Sequence, residues 1–244
     1  GLIVNWAAEW RLRDVGLVAV AVCGSSLLFF GASAFVMTDM VMVLGTTLAM
    51  IAFFRAVTTP VHRAMWGHVF FVGLAIGLLA KGPTAFVLTG IPIFLWLLVG
   101  NRWRMLRWLP FVSGIALCIA VTAPWYIAAE IKTPGFLPYF LVGEHLERFL
   151  VPSWQGDLYG SGHKEAKGMI WIFAIGAFLP WTLFAPAFLT QPRVTFRAIK
   201  ADATGRYSYL LFWSLSPLIL FTPAANILPS YVLPAVPALS LLTV

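Results

Sequence analysis

Three short strings in this chain set ionisable side chains where a reaction or an anion would need them. They are Thr38-Asp39-Met40 between two apolar runs, Ala80-Lys81-Gly82-Pro83 in a tight turn, and Gly143-Glu144-His145-Leu146-Glu147-Arg148-Phe149 in a longer polar gap. A carboxylate at Asp39 can cap a helix start, the simpler reading of that string alone, or serve an outer cavity by binding an acceptor hydroxyl, an amino sugar or a metal ion. Lys81 can snorkel to the membrane surface. Its turn is so short, however, with Gly82 permitting a bend and Pro83 opening the next helix, that the ammonium is held near one place, as a lipid-linked phosphate would require. In the third string Glu144 and Arg148 stand one helical turn apart, a pair worth about 0.2–0.5 kcal/mol on a solvated face. The alternative makes Arg148 a planar donor to phosphate oxygens, with Glu144 and His145 orienting it or the acceptor. Trp125 and Tyr126 after Pro124, and Trp181 after Pro180, are interface or packing aromatics, with sugar stacking as the other use. His163 is loop-borne. No metal-ligand spacing, Gly-rich phosphate loop or nucleophile elbow occurs.

The elements that must position these groups are membrane spans. Hydrophobic residues make up 61% of the chain and charged ones 10%, far below the roughly 25% charge of soluble domains, so a soluble globule is excluded. A pI near 9.8 invites a nucleic-acid reading, but the cations sit in short loops beside apolar runs, which fits a membrane surface and no nucleic acid. Cys23 and Cys118 lie within apolar runs and read as small hydrophobes. Apolar stretches suggest about eight spans: Val15 to Met37, Met40 to Phe54, Ala64 to Ala80, Pro83 to Val99, Trp108 to Ala129, Met169 to Leu189, Tyr207 to Phe221, and one from about Ser230, against the roughly 20 apolar residues a spanning helix needs. The fold class is therefore all-α, a polytopic transmembrane helix bundle. The chain reads as a single transmembrane domain over 1–244, a piece of a longer protein.

The gaps between spans are alternately basic and nearly neutral. One set holds Arg11, Arg13, Arg55, Arg63, Arg102, Arg104, Arg107, Arg193, Arg197, Lys200 and Arg206 against three acids, net +8. The other holds Lys81, Lys132, Arg148, Lys164 and Lys167 against six acids, net −1. The positive-inside bias assigns the first set to the cytoplasm, so all three strings face outward. The one long gap, 130–168, is read as an outward, periplasmic loop. In it Leu141, His145, Arg148 and Phe149 recur at helical spacing and predict an amphipathic helix on the membrane surface.

In this order, the strings resemble the polytopic glycosyltransferases that use polyprenyl-phosphate sugars, the GT-C class, especially the aminoarabinose transferases acting on lipid A and the protein mannosyltransferases. The resemblance rests on Thr38-Asp39, Ala80-Lys81-Gly82-Pro83, Pro124-Trp125-Tyr126, Tyr139-Phe140 running into Glu144 to Phe149, Leu179-Pro180-Trp181, and Leu228-Pro229-Ser230-Tyr231-Val232-Leu233-Pro234. It implies a multi-pass enzyme of the bacterial cytoplasmic membrane with its active site facing the periplasm. Such an enzyme transfers a sugar from a polyprenyl-phosphate donor to a glycolipid such as lipid A, a glycan or a protein, among membrane lipids and without a nucleotide. On that basis Lys81 and Arg148 bind the donor phosphate, Asp39, Glu144 and His145 form the catalytic set, and Tyr126, His163 and Tyr231 are further substrate-binding candidates. No metal site is assigned, and a divalent cation is the one cofactor left open. The family's acidic pair in the first outward loop lies upstream of the matched stretch, so the general base is expected outside this chain. Where aminoarabinose transferases carry basic residues before Leu228, this chain has Ala224-Ala225-Asn226-Ile227.

The competing class is a transporter or flippase for lipid-linked sugars. Transporters place polar groups at the midplane of paired repeats, and neither feature is present in this sequence. A membrane scaffold is a third reading and leaves the held cation at Lys81 without a role.

Overall fold

The computed structural model describes residues 13–156, 163–186 and 202–243. Glu9, Arg11, Asp157, Arg193, Arg197 and Lys200 of the charge sets lie outside the described residues, as does the 187–189 end of one expected span. The described elements are helical, apart from one isolated antiparallel bridge between Lys164 and Asn226.

Four helices are long and apolar enough to cross a membrane: α3 (Thr38–Thr58), α4 (Arg63–Lys81), α5 (Pro83–Gly100) and α6 (Phe111–Lys132). Before them α1 (Arg13–Ser25) and α2 (Leu27–Ser33) form a pair bent by 73°, a fifth span if counted together. After them come α7 (Met169–Ala177), α8 (Arg206–Phe221) and α9 (Val236–Leu242).

Of the eight expected spans, four or five are continuous helices long and apolar enough to cross a membrane among the described residues, and the others are broken or short for local reasons. At Ser26 the Leu27 N–H donates to Leu179 O at 2.8 Å instead of to its own helix, so a partner from another segment stabilises the break. α7 ends before Pro180, which disfavours helix at Leu179 and is followed by a short 3₁₀ stretch, Trp181–Phe184. α8 has 16 residues, about 24 Å of helix, less than a hydrocarbon core of roughly 30 Å. The segment from Pro229 runs as a 3₁₀ helix to Ala235 before α9 begins, with Pro229, Pro234 and Pro237 removing N–H donors that a continuous α-helix would use.

The tight centre of the bundle is the antiparallel pair α3 and α4. A Cβ on Gly45 would lie 2.6 Å from the Gly77 nitrogen and 2.8 Å from the Gly73 oxygen, and one on Gly73 would lie 2.6 Å from the Ala49 nitrogen. The two backbones touch because these positions are glycine, the packing that small residues allow between membrane helices. Gly45→Ala is expected to force the pair apart and destabilise the protein by about 1–3 kcal/mol, read as a lowered unfolding temperature in detergent; an unchanged temperature would show that the backbones have room.

Around this pair sits an aromatic core. Phe53, Phe54, Trp96 and Tyr209 meet with centroids 4.9–6.2 Å apart, and the buried Tyr209 hydroxyl donates to Met50 O at 2.7 Å. Pro92 has no N–H for the carbonyl of Leu88 four residues earlier, and the Ser216 hydroxyl donates to that oxygen at 2.8 Å. A polar residue in an apolar helix thus satisfies a group that lipid could not.

The charge sorting of the sequence becomes two ends of the bundle. At one end Arg55 stacks on Trp66, Arg102 on Trp96, and Arg63 and Arg107 on Trp108, while Trp96 Nε1 donates to Gly205 O. The opposite end carries Asp39, Lys81 and the loop after α6, separated from the first by α3, about 31 Å long.

Candidate functional site

The antiparallel pairing of α3 and α4 puts the first turn of one beside the last turn of the other, and so brings Asp39 to Lys81. Their Oδ2 and Nζ atoms are 3.2 Å apart, with the Asp39 side chain 7% exposed and that of Lys81 33%. Neither simple reading survives. The N-cap of α3 is Met37, and no side-chain capping bond forms there; Lys81 pairs with a buried carboxylate instead of snorkelling. Asp39 Oδ1 is buried and has no hydrogen-bond partner among the described residues.

Gly82 makes the turn. Its φ of +59° and ψ of −148° are open chiefly to glycine, and a Cβ would lie 2.7 Å from the Phe140 ring and 3.0 Å from the His145 ring. Through this gap the loop after α6 reaches the end of α4.

The loop is organised by its own side chains. Glu130, near the end of α6, accepts from the N–H groups of Gly135 and Leu137 at 2.9 and 2.8 Å and fixes the turn that leaves the helix. The segment expected to form an amphipathic helix is helical, but Tyr139–Glu147 is a π-helix flanked by single α-turns, Phe136–Pro138 and Arg148–Leu150. The wider winding turns His145 onto two carbonyls: Nδ1 lies 2.5 Å from Phe140 O and Nε2 3.0 Å from Lys81 O. His145 is therefore a strut between the loop and the residue that bears the ammonium. Glu144 takes the Tyr139 hydroxyl on Oε1 at 2.5 Å and Arg148 Nη1 on Oε2 at 2.8 Å, which gives Arg148 a fixed edge. Trp154 supports the loop from behind, donating to Glu147 Oε2 at 3.0 Å and lying against Gly143, where a Cβ would come within 2.9 Å of its ring.

Asn226, which sequence reasoning noted only as the place where basic residues would be expected, anchors this arrangement. It is 3% exposed; its amide nitrogen donates to Arg148 O at 2.6 Å and to Val151 O at 2.7 Å, and its oxygen accepts from Ser153 N at 3.0 Å. A lone amide in an apolar string between Pro223 and Pro229 was the available signal. Asn226→Ala removes the donors to the part-buried carbonyls of Arg148 and Val151, at about 0.5–1.5 kcal/mol each. The variant is expected to unfold at lower temperature in detergent and to become protease-sensitive in the 148–153 segment; wild-type resistance there would show that Asn226 does not hold it.

The remaining candidates sit as follows. Tyr126 donates to Leu78 O at 2.7 Å, linking α6 to the last turn of α4, with its ring 6.0 Å from that of Phe140. Tyr231 packs against Phe221, with ring centres 4.5 Å apart and the planes tilted by 31°. His163 is exposed, and its carbonyl accepts from Ile227 N. Asp39, Lys81, Glu144, His145, Arg148 and Tyr126 are thus connected through direct contacts and the short π-helical segment, while Tyr231 and His163 lie behind Arg148 on the Asn226 side. Among the described residues no three His, Cys, Asp or Glu side chains converge as a metal ligand set.

These features define a polytopic helical membrane protein with a buried carboxylate paired to a lysine, and an arginine held by a glutamate, at one end of the bundle. The chain belongs to the dolichyl-phosphate-mannose-protein mannosyltransferase family, which it matches over residues 3–140. It is 30% identical over 252 residues to an undecaprenyl phosphate-alpha-4-amino-4-deoxy-L-arabinose arabinosyl transferase of Yersinia pestis, and 28% identical over 257 residues to that of Edwardsiella ictaluri. Each match covers 99% of this chain and 42% of the relative. The fold is that of ArnT from Cupriavidus metallidurans: the crystal structure bound to undecaprenyl phosphate superposes with a TM-score of 0.83 at 20% identity, and the apo structure with 0.73 at 22%. Those superpositions cover 100% and 99% of this chain and 42% of ArnT. The chain spans less than half the length of the curated relatives it matches.

Proposed function

We propose that this chain is part of a membrane glycosyltransferase that moves a sugar from a polyprenyl-phosphate donor to a glycolipid, glycan or protein acceptor at the periplasmic face of the bacterial cytoplasmic membrane. The observation that carries the reading is the single end of the bundle shared by Lys81, on its buried Asp39, and Arg148, on Glu144, with His145 tying one segment to the other. The chain acts as one membrane-embedded unit of the whole enzyme, and the loop 130–168 faces outward.

In the reaction the bond between the sugar's anomeric carbon and the phosphate oxygen breaks, and its electron pair leaves with the polyprenyl phosphate. The acceptor oxygen bonds to that carbon and gives up its proton to a base supplied from outside this chain. Charge grows on the departing phosphate, where an ammonium and a guanidinium placed in advance stabilise it more than they stabilise the donor. Lys81 offers the point charge and Arg148 the planar edge. Asp39 keeps the ammonium in place.

The test is to incubate the full-length protein with a panel of polyprenyl-phosphate sugars and follow free lipid phosphate together with labelled sugar on an acceptor. Release of both in one-to-one ratio is expected for at least one donor. Movement of intact donor across the bilayer without cleavage would favour the transporter reading and overturn this one.

A further inference from the structure

The basic end holds a cluster that the proposed reaction does not use. Between α5 and α6 the chain makes a short 3₁₀ helix, Trp103–Trp108, in which residues three apart eclipse, so Arg104 and Arg107 fall on one face. Met105 and Leu106 pack on the core and seat the turn at the end of two spans. Trp108, 39% exposed, carries two guanidinium groups, Arg63 at 3.9 Å and Arg107 at 4.6 Å from its ring centre.

Two like charges on one ring repel each other unless an anion joins them. Among the described residues none does. Arg104 and Arg107 are exposed, and Arg63 Nε is buried without a hydrogen-bond partner. Asp202, the carboxylate described on this end, is occupied by the N–H groups of Thr204 and Tyr207 and by the Thr204 hydroxyl. The contrast with Arg102 is informative: that guanidinium lies over the buried Trp96, packed so tightly beside Gly100 and Gly205 that a Cβ at either would collide with it, and so serves the fold.

We propose that Arg63 and Arg107 on Trp108, with Arg104 on the same face of the 3₁₀ turn as Arg107, form a binding site for the phosphodiester headgroup of an anionic phospholipid in the leaflet at the basic end. The indole sits where amphipathic rings favour the headgroup level and holds two of the cations by their flat faces, leaving their edges to donate to phosphate oxygens. The site stands independently of the transfer reaction at the other end.

Delipidated full-length protein, titrated with phosphatidylglycerol or phosphatidylcholine and followed by native mass spectrometry, tests this. Phosphatidylglycerol is expected to bind more tightly. The Arg104→Gln/Arg107→Gln variant, altered only at exposed positions, is expected to lose about thirty-fold in that affinity, at roughly 1 kcal/mol per basic residue near a surface. The Lys132→Gln/Lys167→Gln variant, with the same change in net charge at the opposite end, is expected to bind as the wild type does. Equal binding of the two lipids, equal loss in the two variants, or displacement of phosphatidylglycerol by millimolar inorganic phosphate would each overturn the proposal.

Discussion

Lys81→Ala is expected to abolish sugar transfer by the full-length protein and also to lower its thermal stability. Losing a single donor to the developing charge typically costs a factor of roughly 10²–10³ in turnover. The stability loss has another origin: Asp39 is 5% exposed, and Lys81 supplies its one ion pair among the described residues, so the variant leaves a buried carboxylate uncompensated. Breaking one side of a fully buried pair costs about 3–5 kcal/mol, and with Lys81 one-third exposed the loss is expected to fall below that range. The double variant Lys81→Ala/Asp39→Asn separates the two roles, since it removes both charges; its unfolding temperature is expected to recover while transfer stays lost. Turnover at the wild-type rate in the single variant would defeat the assignment of the ammonium to the leaving phosphate.

Arg148→Lys is expected to lose nearly as much turnover as Arg148→Ala, about 10²–10³-fold, although it keeps the charge. Glu144 Oε2 fixes one edge of the guanidinium through Nη1, and a lysine ammonium, a flexible point charge, cannot hold that contact and present a second flat edge together. Glu144→Gln keeps an acceptor at the same place and removes the charge, so its loss should be smaller. Kinetics on a donor series checks this. A fall in kcat and kcat/KM together marks an interaction made in the transition state, whereas a rise in KM alone would make Arg148 a ground-state clamp and contradict its role in stabilising the departing phosphate.

What could be read from the chain was whatever short-range chemistry decides. Gly82 and Pro83 announce the turn that holds Lys81, Glu144 and Arg148 stand at pairing distance, and the four long spans end within a few residues of where charge and proline place them. The partners of these groups were not legible, because they arrive from elsewhere in the fold. Thr38-Asp39 reads as a cap until α4 brings Lys81 beside it. The break after α1 depends on a carbonyl 152 residues further on, that of Leu179. The four-residue spacing of Leu141 and His145 fits an ordinary helix, and only the docking of Phe140 and His145 on Gly82 shows why the segment winds more widely. Asn226 is one polar letter in an apolar run, and its three hydrogen bonds all go to the backbone of a loop some 75 positions earlier.

His145 grips Lys81 by its main-chain oxygen and not by its side chain. The loop helix is therefore tied to a group that every amino acid possesses, while the charge at position 81 sits on the side chain, paired with Asp39. A substitution at position 81 therefore changes the charge that Asp39 faces while leaving in place the carbonyl that His145 meets, so the side chain and the loop contact can be altered separately.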